Sequence, residues 1–500
     1  MSRRQRLTLL AAILGSAVAM IDGSIVNIAL PAIERDLGGG LSAQQWVSNA
    51  YLLALGSLIL VGGSLGDIYG ERRVFALGVG AFGVFSIGCA VAPTIEVLIV
   101  ARALQGAAAA LMVPSSLAVI VGAFSPRERG AAIGSWTAWG GIASIVGPLA
   151  GGVIVDQVSW RWIFGFNIPL VVVTLLLILA AIPQKSVASD RHVDVVGATL
   201  GMLGLGGIVF ALIEEPHHGW GDPVILLPLC GGAIAFAGFL TYEWRADEPM
   251  LKLELFTRRN FAVANAETLT MYAGLAILFF FLVIFLQQVA GYTALQSGLA
   301  TLPVTLVMFT LSRRAGALAD RFGPRLFMGA GPLTAAFGVL LLLRTGVDTR
   351  YLTDLLPGLL VFGLGLTLTV APLTATVLAD ADESDAGIAS AINNAVARVA
   401  GLIGVSVLGV VISSTLVGDT FAANSESVRA FHEVLVICAA LLAGGGLAGA
   451  IGIVNPRRAV EAQSCPGGQL YGVPQPAVAQ TDGRATVALA TPLRADSAGR

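Results

Sequence analysis

Apolar stretches of roughly 20 residues follow one another along almost the whole chain, each cut off by charged or glycine-rich breaks. At about 1.5 Å per residue such a stretch spans a bilayer core ~30 Å thick as a helix. The pattern predicts roughly fourteen such helices. They fall at 7–30, 44–66, 74–93, 95–121, 131–155, 162–182, 194–213, 224–242, 261–288, 295–312, 326–344, 352–378, 386–415 and 431–453. The first run follows Arg3-Arg4-Gln5-Arg6 and continues through Ile25–Leu30, longer than a cleaved leader's apolar core, so a retained span is expected.

The break after the second run reads Gly63-Ser-Leu-Gly-Asp-Ile-Tyr-Gly-Glu-Arg-Arg73, and a near copy follows the tenth, Gly316-Ala-Leu-Ala-Asp-Arg-Phe-Gly-Pro-Arg325. Gly63, Leu65, Asp67 and Gly70 fall on Gly316, Leu318, Asp320 and Gly323 at one constant offset. Duplication of a half-chain leaves such a pattern. Shifting 7–182 by that offset lands on 261–453. The expected fold is therefore all-α and integral to the membrane: two pseudo-symmetric six-helix bundles. Two extra central spans, 194–213 and 224–242, lie in an insert at 183–260. Residues 1–6 precede the first bundle, and 454–500, rich in Pro, Gly, Gln, Ala and Ser without periodicity, read as a disordered tail. Residues 250–259 alternate apolar and charged positions, as a segment lying along the inner membrane surface would.

Charge orients this layout. With the N-terminus inside, the inner breaks hold most of the basic residues, among them Arg72, Arg73, Arg129, Lys252, Arg313, Arg314 and Arg325. The outer breaks hold only Arg35, Arg161, Arg344, Arg350 and Arg429, an asymmetry that puts both termini in the cytoplasm and favours an even number of spans. Composition agrees: 56% of residues are hydrophobic, 12% are charged and the mean hydropathy is +0.83. A soluble domain carries about 25% charged residues. The four cysteines make no disulfide framework, since Cys89, Cys230 and Cys438 lie in apolar runs and Cys465 in the tail.

Three charges lie inside spans: Asp22, Arg102 and Glu267. Each costs at least ~2.5–3.5 kcal/mol at mid-membrane and needs a partner, a wet cavity or a function. Asp22 lies roughly 22 Å along the first span from inside and Arg102 about 10 Å below the outer edge of the fourth. Both therefore reach one level and can pair. The pair is either a static clamp between helices or a titrating acid with its tuning base. Glu267, about two turns into its span, has no base at helical spacing and is either protonated and silent or a site for a proton or a cationic substrate. Arg398, near Asn393 and Asn394, is a further interior base, with a helix-pairing role and a substrate role equally open.

The fifth run carries Gly134, Gly147, Pro148, Gly151 and Gly152. Proline removes a helix hydrogen bond and small residues let helices touch, so this span packs closely and can bend. Asn27, Tyr51, Gln105, Trp136, Trp139, Asn265, Asn394 and Arg398 are expected to line an apolar substrate cavity with a few hydrogen-bonding groups.

Together these residues resemble the major facilitator superfamily, in particular the fourteen-span drug:proton antiporters of the EmrB/QacA type. Gly63–Arg73 is similar to the superfamily's loop signature G-x-L-a-D-r-x-G-r-r, departing from it at Ile68 and Glu71. Arg102-Ala-Leu-Gln-Gly106 is similar to its fourth-span motif. Gly134 with Gly147-Pro148 and Gly151-Gly152 resembles the fifth-span antiporter motif, with Ala143 at one glycine position. Asp22–Pro31 and Trp160–Pro169 look like signatures of the fourteen-span group. The resemblance implies alternating access around a central cavity, proton entry coupled to exit of lipophilic, often cationic, compounds, and a part for Arg102 in proton coupling. It implies that the fifth-span motif seals the cavity. The gate is expected at Gly63, Asp67, Gly70, Arg72, Arg73, Gly316, Asp320, Gly323 and Arg325, with Asp67 bracing one half against the other.

The expected protein is thus a proton-coupled exporter in the plasma membrane, not an enzyme, working as a monomer on small lipophilic, cationic drugs or a related toxic metabolite. It needs no cofactor beyond the proton gradient and no nucleic acid. A dedicated exporter of one endogenous metabolite, and a sensor on the same fold, are the alternatives. An ATP-driven pump is disfavoured because Lys185 and Lys252, the only lysines, close no phosphate-binding glycine loop. His217 and His218, placed in an outer loop beside Glu214 and Glu215, lack the second cluster a metal site needs.

Overall fold

The computed structural model describes residues 1–184, 194–246, 249, 251–380, 382, 386–413, 415–416 and 420–455. The tail expected at 454–500 lies outside the described residues from Pro456 onward. Fifteen α-helices follow in order among those described: α1 Arg3–Leu37, α2 Gly40–Tyr69, α3 Glu71–Ala90, α4 Ile95–Ala123, α5 Pro126–Gln157, α6 Arg161–Gly165, α7 Asn167–Ala181, α8 Val195–His218, α9 Pro223–Arg245, α10 Arg259–Ile284, α11 Ala294–Phe322, α12 Pro324–Leu341, α13 Leu356–Ala379, α14 Ala386–Ser413 and α15 Ser425–Gly452.

Among the described residues, thirteen segments are long and apolar enough to cross a membrane, counting α6 with α7 as one. α5 extends over 32 residues, but its described apolar portion is the shorter Ile145–Gln157. Large apolar side chains such as Leu77, Leu227 and Ile234 face outward, as they must where lipid replaces water. This is a multi-pass membrane protein.

Local chemistry sets the helix ends. Ser2 caps α1 in a reciprocal box with Gln5, and Thr293 caps α11 in the same way with Gln296. Gly70 and Gly323, equivalent residues of the repeat, end α2 and α11 at φ 90° each, a conformation that side-chain-bearing residues adopt only under strain. His217 and His218 complete the last turn of α8 rather than standing in a loop, because the chain breaks only at Gly219, φ 79°. Residues 253–257, expected to lie flat on the membrane, form a short 3₁₀ turn whose Leu255 is buried.

Contacts between helices explain the repeat. α1–α7 pack among themselves, chiefly α2 on α4, α3 on α4 and α1 on α5; α12 on α13, α10 on α15 and α11 on α13 do the same further along. The two groups meet along two seams, α5 against α11 and α2 against α14. The repeat offset carries α2 onto α11 and α5 onto α14, so the two seams are one contact used twice. α8 packs along α9 and also touches α2 and α14, beside the second seam.

Candidate functional site

Between the seams lies a cavity of about 1860 Å³. Its walls come from α1, α2, α4, α5, α10, α11, α13 and α14. At one end it reaches Asp67, Glu71, Asp194 and Lys252, at the level of the loops, and at the other it stops at Asn27, Ile28 and Pro148. Beyond that closed end the halves are joined. Asp156 at the end of α5 accepts from the backbone N–H groups of Ala294 and Leu295 at 3.0 and 2.9 Å. A carboxylate there satisfies free donors and the positive end of the helix dipole. Gln45 donates to the Val405 carbonyl at 2.6 Å and Asn49 to Ser406 at 2.9 Å, closing the α2–α14 seam.

The glycines of α5 make the other seam possible. A Cβ at Gly152 would stand 2.5 Å from Leu295 Cα, and one at Gly298 would stand 2.7 Å from the Pro148 carbonyl. Gly147 and Gly151 lie equally tight on Ser24 and Ile25 of α1. Gly134 lies apart from this packing, with open space around it.

One layer behind the cavity wall, Asp22 and Arg102 meet through Oδ2 and Nη1 at 2.5 Å. They are 0% and 1% exposed. Polar side chains from three other helices gather on them. Arg102 donates to the Val47 carbonyl at 3.1 Å and to Gln105 Oε1 at 2.6 Å. Gln105 and Asn167 donate to Asp22 Oδ1 at 3.1 and 2.9 Å, and both reach Ser86. The Tyr51 ring covers the guanidinium at 4.4 Å from its centroid, a cation–π contact, and also lines the cavity. Tyr51 thus separates the ion pair from the cavity by one ring. Such a pair persists in an apolar medium only with its remaining valences filled, as here.

The other expected site residues divide. Asn27, Tyr51, Trp136, Asn394 and Arg398 line the cavity, as do Gly63 and Asp67 of the loop. Gln105 does not; it is wholly inside the Asp22 cluster. Asn265 is buried under α14, bonded to the Phe261 carbonyl and to Asn393, which covers it before it can face the cavity. Trp139 is 52% exposed on the outer surface. It lies three residues beyond Trp136, and about 100° per residue turns it some 60° away, enough to leave the cavity. Glu267 is 0% exposed, against Gly445 and Gly449 of α15, away from the cavity lining. Both of its carboxylate oxygens lack a hydrogen-bond partner among the described residues.

The loop bases brace their own half. Arg72 donates to the Leu179 carbonyl in the last turn of α7, at 3.0 Å, and Arg73 faces the Gln184 side-chain oxygen. Arg325 donates to the Ala450 carbonyl in the last turn of α15, at 2.6 Å. Gly316 lies near Ala371, with ordinary space, and Asp320 is on the last turn of α11.

Two participants escaped the sequence reading. Asn167 sits in the quoted Trp160–Pro169 stretch, a lone amide in an apolar run, and the break between α6 and α7 turns it onto Asp22. Asp156 looks like an ordinary helix-end acid until α11 is placed beside it.

The family model described as Major Facilitator Superfamily matches residues 12–405. The chain belongs to the major facilitator superfamily. Among curated superfamily relatives, the multidrug resistance protein Stp of Mycobacterium tuberculosis is 36% identical, over 83% of this chain and 77% of its own. The puromycin resistance protein pur8 of Streptomyces alboniger is 37% identical, over 79% of each. The cephamycin export protein CmcT of Amycolatopsis lactamdurans is 32% identical, over 91% of this chain and 93% of its own. Solved structures agree in fold alone. A D-xylose-proton symporter has a TM-score of 0.63 at 15% identity, covering 90% of this chain and 98% of that one. A bacterial homologue of the lysosomal transporter Spinster, described as inward-facing, has a TM-score of 0.65 at 14% identity, covering 90% and 97%.

Proposed function

We propose that this superfamily member is a proton-coupled antiporter of the fourteen-span drug-exporter group, removing lipophilic drugs or a related toxic metabolite by alternating access. In this reading α5 completes fourteen crossings, arranged as two six-helix bundles with α8 and α9 beside them, in the plasma membrane with both termini cytoplasmic. The observation that carries it is the sealed Asp22–Arg102 pair one ring behind a large cavity. A carboxylate at membrane depth changes the energy of its surroundings when it gains or loses a proton, and Tyr51 couples that change to whatever occupies the cavity. Relatives named for resistance to or export of antibiotics support the export direction.

The cycle follows from the two ends. With basic loops inside, the cavity reaches the cytoplasmic level while Asp156, Gln45 and Asn49 hold the outer end shut. Cargo enters from the cytoplasm or inner leaflet. Opening of the outer seam exposes Asp22 to external protons, and protonation weakens its hold on Arg102 and favours release and return. Glu267 is a second proton site in this scheme: neutral when protonated, and costly when charged because nothing solvates it. No bound cofactor is required, since 100 mV supplies about 2.3 kcal/mol per charge moved.

The test is a toxicity panel in an efflux-deficient host, with and without a protonophore. Protection that vanishes with the protonophore is expected. Inverted vesicles carrying Asp22→Asn should then show no drug-induced proton movement while still binding drug; normal proton movement would remove Asp22 from the mechanism.

A further inference from the structure

Among the described residues, the charge that faces the cavity at membrane depth is basic. Arg398 lies about 18 Å along α14 from its Ala386 end, near the middle of a bilayer-spanning helix. It belongs to the α2–α14 seam. Gln45 and Asn49 seal that seam on one side of it; a Cβ at Gly56, the next contact on α2, would touch Arg398 Cβ at 3.5 Å. Both helices line the cavity around this contact, α2 through Leu55 and Ile59 and α14 through Asn394.

Arg398 is partly buried, lines the cavity, and has no hydrogen-bond or ion-pair partner among the described residues. The acids that share the lining, Asp67, Glu71 and Asp194, all belong to the loop end. Asp22 is committed to Arg102, and Glu267 is turned toward α15. Around Arg398 the cavity offers neutral hydrogen-bonding groups, Tyr272 and Asn394 on its own flank and Tyr51 across from it, among apolar walls. A guanidinium stays charged throughout any useful pH range, and its planar fork matches the oxygens of a carboxylate, sulfonate or phenolate. Burying it costs energy that only an anion or several acceptors return.

We propose that Arg398 is the cargo-recognition residue and that the preferred cargo is a lipophilic molecule bearing an anionic oxygen group, not an organic cation. This rests on the exporter reading above and names the cargo class of the same cavity. The apolar walls hold the ring system, Arg398 takes the anionic group, and Asn394 and Tyr272 complete its coordination. A cationic amphiphile would meet like charge at mid-membrane, where the described cavity lining offers no acid.

The probes are two dyes with one skeleton: anilinonaphthalene sulfonate, anionic, and N-phenylnaphthylamine, neutral. Binding to the purified full-length chain in proteoliposomes is read by fluorescence with no gradient present. The sulfonate should bind at least about tenfold more tightly than the neutral dye. Arg398→Gln should abolish that preference, and an unaltered thermal unfolding profile in detergent shows that the variant folds. Arg398→Lys should restore part of it. Equal affinities in the unaltered protein, a preference that survives Arg398→Gln, or tighter binding of ethidium than of the sulfonate would each overturn the inference. A separate arm applies a pH gradient and follows accumulation of either dye. Its failure alone would strike the exporter reading and leave the anion preference standing, so the two fail distinguishably.

Discussion

Arg72 and Arg325 occupy the same place in the two halves. Each stands in the first turn of the helix after the repeated loop, and each donates to a carbonyl in the last turn of that half's final helix, Leu179 in α7 and Ala450 in α15. Four carbonyls at a helix C-terminus have no partner within the helix, and a cation there also opposes the dipole. The loop therefore ties its own half together at the end where the cavity reaches the loops. Its two bases thus bind within their own halves.

Replacing either arginine by alanine should cost about 1 kcal/mol or less, because both sites are exposed. The two losses should add to within about 0.5 kcal/mol, since the sites share no partner. Thermal unfolding of the purified variants in detergent measures this; strong coupling between the sites would mean that the loops do touch across the halves.

The ion pair should behave differently. Arg102→Leu leaves Asp22 charged or forces it to take up a proton, and Asp22→Leu strands the guanidinium, so each should destabilise by about 3–5 kcal/mol. The double change Asp22→Leu with Arg102→Leu should cost less than the sum, and both single and double variants should lose proton-linked transport. A double-mutant cycle of stability, read beside transport, separates the clamp from the coupling role.

The α5–α11 seam gives a steric prediction. Gly152→Leu would drive a side chain into the Leu295 backbone and hold the outer end open, whereas Gly134→Ala has space and should be neutral within about 0.5 kcal/mol. Asp156→Ala should weaken the same closure by removing the acceptor of two N–H groups. Labelling of a cysteine introduced at Asn27 by an impermeant reagent added from outside should rise with Gly152→Leu and Asp156→Ala, and stay at the background level with Gly134→Ala.

Glu267→Gln removes no hydrogen bond made by the described residues. Stability should change by less than about 1 kcal/mol, or rise, because an amide is cheaper to bury than a carboxylate. Gradient-driven efflux should nevertheless fall. Unchanged efflux at all external pH values would mean that Glu267 is silent.

The sequence by itself determined that the chain is helical and crosses a membrane repeatedly, that its two loops repeat at a constant offset, and that Asp22 and Arg102 lie level. Each of these follows from one-dimensional quantities: run length against bilayer thickness, a constant offset, and rise per residue. It could also name Asn27, Tyr51, Asn394 and Arg398 as cavity residues, since polar groups in apolar runs have to face something polar. Which neighbour each one faces was decided by packing. Gln105 and Asn167 close around Asp22, Asn265 disappears beneath Asn393, and Trp139 turns to lipid, though in composition these residues resemble those that line the cavity. Asp156 shows the same limit, because its partners on α11 are far off in the chain and meet it only when Gly152 lets two backbones touch. Helix rotation and approach depend on small residues at contacts between distant segments, and such pairings are fixed only when the helices pack.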